Sequence, residues 1–64
     1  MKRNPDNIAF KLKEVRRKLK FTQEALAHKL GVSFTSVNRW ENGQTQPSPL
    51  ARRHIDKLFE EITR

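Results

Sequence analysis

Phe34, Thr35, Asn38 and Arg39 lie within a six-residue stretch. Together they supply an aromatic face, a methyl-bearing hydroxyl, an amide that both donates and accepts, and a planar cation with five donors. Such a set suits the reading of a polar surface. Residue types that could make or break bonds do not assemble. His28 and His54 have no Cys in the chain and no carboxylate four residues on, so neither completes a metal site. Ser33, Ser36 and Ser48 lack a His/Asp set to activate a nucleophile. Gly31 and Gly43 are isolated, so there is no glycine-rich nucleotide loop. The expectation is a non-enzyme with no catalytic residue, metal or cofactor, and with no small-molecule ligand evident.

The charge narrows the choice of partner. The 64 residues hold 14 Lys+Arg and 7 Asp+Glu, a formal net charge of +7, which points to a polyanion. Residues 1–32 contain 9 basic and 3 acidic side chains (+6), against 5 and 4 (+1) in residues 33–64. Six cations fall in 11–20 alone, and by the general rule for charge runs most should be solvated. No run approaches the ~20 apolar residues of a membrane span, and the basic N-terminus lacks the apolar stretch of a signal peptide. A soluble, cytoplasmic chain without membrane contact is expected. Its length allows one domain, 1–64, with a thin core. With no Cys, stability must come from helix packing.

Four helices would position these groups. Ile8, Leu12, Val15 and Leu19 recur at helical spacing, and Asp6 or Asn7 after Pro5 offers an N-cap, which gives a first helix over about 7–20. Thr22 can cap a second over 23–30, stopped by Gly31. Ser33 can cap a third over 34–41, ending at Asn42-Gly43. Ser48 followed by Pro49 opens a fourth over about 49–62, with the stripe Ala51, Ile55, Leu58 and Ile62. No segment alternates as a strand does. The chain reads as all-α.

At ~100° per residue from Phe34, Asn38 falls near ~40°, Thr35 near ~100° and Arg39 near ~140°. Val37 and Trp40 fall near ~300° and ~240°, on the opposite, core-facing side. One arc of the third helix therefore turns Phe34, Thr35, Asn38 and Arg39 outward. An alternative for Phe34 is that its ring folds back onto the core.

Two helices joined by a turn of about three residues that begins with Gly have the helix-turn-helix arrangement. The run TQEALAHKLGVSFTSVNRWENG (22–43) resembles the Cro/repressor-type helix-turn-helix family in its T-Q-x-x-L-A opening, its G-V-S turn and its W-E-N-G close. Leu12, Val15, Arg16, Phe21 and the P-S-P-x-x-A start of the fourth helix extend the resemblance to about residues 8–60. It implies a compact four-helix, repressor-like domain that binds double-stranded DNA with its third helix in the major groove.

The resemblance also implies roles. The positions of Phe34, Thr35 and Arg39 touch base edges in the family. Arg39 can fork onto guanine, Asn38 can pair with adenine, and Phe34 and the Thr35 methyl can meet thymine methyls; an alternative for Arg39 is a phosphate contact only. Gln23 occupies the position that grips the DNA backbone, at a helix start that attracts anions. Thr22 is a cap, with or without a phosphate. Asn42 and Gly43 could nest a phosphate on their backbone amides, the alternative being a plain helix stop. Arg16 and Glu41, at the borders of their apolar stripes, resemble a partly buried ion pair of this family, with Arg16 also a phosphate candidate. Arg17, Lys18 and Lys20 are weaker candidates.

A prokaryotic or phage transcriptional regulator is the leading functional expectation. A targeting module of a larger DNA-modifying enzyme and an antitoxin-like interaction protein are the alternatives. Family repressors usually carry a fifth helix that builds the dimer, whereas here the fourth is final. Phe10 and Phe59 lie off their core stripes and could pack together within one chain or form a dimer patch. A monomer in solution is favoured, with two copies able to occupy half-sites on DNA.

Overall fold

The computed structural model describes residues 7–64. It contains α1 (Ile8–Leu19), α2 (Gln23–Leu30), α3 (Phe34–Glu41) and α4 (Pro49–Ile62). No strand occurs among the described residues. Pro5 and Asp6, the flanking candidates at the first N-cap, lie outside them.

Each helix starts on a polar side chain that takes up an otherwise orphan backbone N–H. The Asn7 carboxamide oxygen accepts from the Phe10 N–H at 3.2 Å, Thr22 Oγ1 from Ala25 at 3.0 Å, Ser33 Oγ from Ser36 at 3.1 Å and Ser48 Oγ from Ala51 at 3.2 Å. Helix ends repeat one device three times. Lys20, Gly31 and Gly43 turn left-handed, with φ of 59°, 72° and 72°. The next residue's N–H then reaches back five residues: Phe21 to the Arg16 carbonyl, Val32 to Ala27 and Gln44 to Arg39, each at 2.9 Å. Lys20 holds this conformation without glycine's freedom. Phe21, packed on the core just beyond it, anchors the turn.

Leu12, Val15, Leu26, Val37 and Ile55 are almost wholly buried, with Ile8, Ala27, Leu30 and Trp40 around them. Helix α1 packs on α4 and α3, and α2 packs on α3. Two expectations are corrected here. Leu19 has the right helical angle for the stripe but is 39% exposed: it lies a full turn past Val15, where Phe21 takes the inner position. Lys11, counted with the solvated cations, is buried. Its Nζ lies 2.7 Å from Asp56 Oδ1 and 5.6 Å from the centre of the Phe59 ring. Asp56 and Phe59, three apart on α4, form one face against α1. Phe10 meets the same ring edge-on, with centroids 6.2 Å apart, so the two off-stripe aromatics contact each other within one chain.

The cap that opens α3 makes a direct prediction. Ser33→Ala removes the acceptor for the Ser36 N–H and should lower stability by about 1 kcal/mol, read by urea denaturation. An unchanged midpoint would show that water replaces the cap at no cost.

Candidate nucleic-acid interface

Buried Val37 and Trp40 hold α3 against the core, so its opposite side must face solvent. Phe34 is 48% exposed at the first turn, and Thr35 and Arg39 are exposed beside it. Phe34 does not fold back onto the core. An aromatic ring left half in water at the start of a helix is a loss unless a partner covers it. Asn38 lies deeper, half-buried on the same arc.

The floor of this arc is polar and charged. Arg16 Nε donates to Glu41 Oε2 at 2.7 Å and Arg16 Nη2 to Oε1 at 2.8 Å, a two-pronged pair tying α1 to α3. The Glu41 side chain is 2% exposed and that of Arg16 27%. The guanidinium's pKa is raised above its ordinary value, chiefly by the hydrogen bond to Glu41 and further by the carboxylate charge, against an opposing effect of burial. Gln23 Nε2 donates to the same Glu41 Oε1 at 3.0 Å. Gln23 Oε1 accepts from Asn38 Nδ2 at 3.2 Å, and Asn38 Oδ1 accepts from Asn42 Nδ2 at 3.3 Å. The family resemblance anticipates the pairing of Arg16 and Glu41, and their helical angles anticipate only its place at the border of the core. The links through Gln23 span 15 and 18 residues, and no periodicity in the chain signals them.

The candidate phosphate ligands fare differently. The Thr22 hydroxyl uses its oxygen as the cap, which leaves its O–H able to donate outward. Gln23, one residue on, keeps one N–H beyond the bond to Glu41. Asn42 and Gly43 depart from the expected backbone nest. The Asn42 N–H donates to the Asn38 carbonyl at 3.1 Å and the Gly43 N–H to Trp40 at 3.2 Å, because the helix closes on its own last carbonyls. A ligand there would meet the Asn42 side chain. Arg17 is turned to Glu14, 3.0 Å away, and this hydrogen bond with the nearby charge raises its pKa. Lys18 and Lys20 are exposed.

His28 and His54 are both exposed. Among the described residues no group of three or more His, Cys, Asp or Glu converges as a metal site, and no helix is long and apolar enough to cross a membrane. An open cleft of about 220 Å³, lined by Lys29, Leu30, His54, Lys57, Leu58 and Glu61, belongs to α2 and α4 and shares no residue with the arc.

The chain is similar over much of its length to parts of two longer proteins. Over 49 residues the chain is 39% identical to the HTH-type transcriptional activator BcrR of Enterococcus faecalis, covering 77% of this chain and 24% of that one. Over 46 residues it is 44% identical to the type II methyltransferase M.SsoII of Shigella sonnei, covering 67% of this chain and 12% of that one. The chain thus spans a quarter or less of the length of these relatives. No solved structure matches it significantly. A helix-turn-helix family model matches residues 12–51, which include the whole of α2, the turn and α3. With that match over more than half its length, and with the capped two-helix turn in place, the chain belongs to the Cro/repressor (XRE) type of helix-turn-helix DNA-binding domains.

Proposed function

We propose that this chain binds double-stranded DNA sequence-specifically, with the N-terminal half of α3 in the major groove, and serves a transcriptional regulator. The observation that carries this reading is the exposed set Phe34, Thr35 and Arg39 on the one side of α3 that the core leaves open. A major groove would cover Phe34 with thymine methyl groups and offer Arg39 the O6 and N7 of guanine. Asn38 supplies the amide for adenine. Thr22, Gln23 and the Asn42 side chain would hold phosphates on either side, fixing the docking register, while Arg16, whose Nε and Nη2 both go to Glu41, is left to the fold. The similarity to a transcriptional activator supports the regulatory role. The Phe10–Phe59 contact supports a monomer in free solution, since it uses both off-stripe aromatics internally.

A second reading follows from the similarity to a type II methyltransferase: the same surface directs a larger DNA-modifying enzyme to its site. A reading frame that continues past Arg64 into a catalytic domain would favour it.

Selection of bound sequences from a random duplex pool tests the DNA reading. Arg39→Ala should cost about 1–3 kcal/mol at one base position and relax the preference there. An equal loss on every sequence would make Arg39 a backbone contact.

A further inference from the structure

Asn38 can read a base only if its donor and acceptor ends are fixed, because a side-chain amide turned over presents the opposite pattern. We infer that Glu41, which is buried beneath the exposed arc of α3, fixes that orientation through Gln23 and so acts as a positioning residue for base preference. The inference rests on the DNA-reading function proposed above.

An ionised carboxylate can only accept. Glu41 is buried, and Arg16 occupies both of its oxygens at 2.7 and 2.8 Å, so the group facing it from α2 must donate. Gln23 therefore turns its Nε2 to Glu41, at 3.0 Å, which directs Oε1 to the other side. Only a donor fits there, and Asn38 presents Nδ2 at 3.2 Å. Asn38 Oδ1 is thereby aimed at Asn42 Nδ2, at 3.3 Å. Every amide in the series has one permitted orientation, set from its charged end. Asn38 retains one N–H and one oxygen lone pair, the complement that adenine N7 and N6 require. Remove the carboxylate and Gln23 can turn over. Asn38 can then turn over with it, and the two ends of its reading edge exchange.

Glu41 also supports the fold, so the variant must preserve packing. The double variant Arg16→Met/Glu41→Leu removes the charged end and keeps side chains of similar size. Random-pool selection with Asn38→Ala first identifies the base position that Asn38 reads. In the double variant, preference at that position should fall about 5-fold or more, the low end of what a bidentate amide–base pair discriminates. Preference at the position read by Arg39 should hold within about 2-fold, as for independent sites. Equal losses at all positions would reduce Glu41 to a structural role and overturn the inference. So would an unchanged preference at the Asn38 position, or an Asn38→Ala variant with no position-specific loss.

A second measurement does not use DNA. In the free wild-type domain the side-chain amide protons of Gln23 and Asn38 should be displaced from free-amide chemical shifts and exchange slowly with solvent, and in the double variant they should move toward free-amide shifts and exchange fast. Free-amide shifts and fast solvent exchange already in the wild type would overturn the ordered series. A wild-type domain that selects no sequence would overturn the DNA reading itself, and the amide signals would then report the effect of Glu41 separately.

Discussion

Arg16→Met is expected to lower the unfolding free energy by about 3 kcal/mol, the low end of the cost of leaving a buried charge without its partner. The Glu41 side chain is 2% exposed, so the abandoned carboxylate has no route to water. A chain of this size has a total stability of about 3–10 kcal/mol, and the variant should be partly unfolded at 37 °C. Glu41→Leu should cost less, because the Arg16 side chain, at 27% exposure, can turn its charge outward. Arg16→Met/Glu41→Leu should recover much of the loss, since an apolar pair of similar volume carries no desolvation penalty. Denaturant unfolding of the four proteins, followed by Trp40 fluorescence and circular dichroism, measures all three differences. Additive effects would show that the two residues are energetically independent despite their 2.7 and 2.8 Å contacts. The pH dependence has a definite sign. A raised Arg16 pKa gives stability that is complete below the unfolded value and lost only as pH rises through the folded one. That window lies in strong alkali, so Arg16 adds no pH dependence near neutrality.

The second large effect is on DNA affinity. If one domain neutralises about four phosphates, log K against log[salt] should have a slope near −3.6, from about −0.9 per phosphate. Between 50 and 200 mM salt the dissociation constant should then rise about 150-fold. The charge behind this is concentrated in residues 1–32, with a balance of +6. The fold withdraws part of it: Lys11 is held by Asp56, Arg16 by Glu41 and Arg17 by Glu14. Lys13, Lys18, Lys20, Lys29 and Arg39 remain exposed. Titrations of a selected duplex at four salt concentrations give the slope. A flat plot would reject a phosphate-tracking surface, whatever the base preferences.

The two predictions draw on different parts of the information in the chain. Helix bounds and starts were legible in the residues, because a cap such as Thr22 or Ser33 acts on an N–H three positions away and needs nothing else. The turn at Gly31 was legible for the same local reason. So was the outward arc of α3, since Val37 and Trp40 mark its inner side. Membership of the helix-turn-helix family follows from that local pattern, which is dense in residues 22–43.

Tertiary structure decided what those elements do to one another. Leu19 has the angle of a core residue and the exposure of a surface one, because angle is set by the helix and depth by its neighbours. Lys11 belongs by composition to a solvated run, yet Asp56, 45 residues away, and the Phe59 ring enclose it. The choice between a folded-back and an exposed Phe34 was likewise made by packing. The amide series from Glu41 through Gln23 to Asn38 joins two helices. Hydrogen bonds at about 3 Å tolerate little error in position, and the spacing of residues within one helix carries no information on the distance to another.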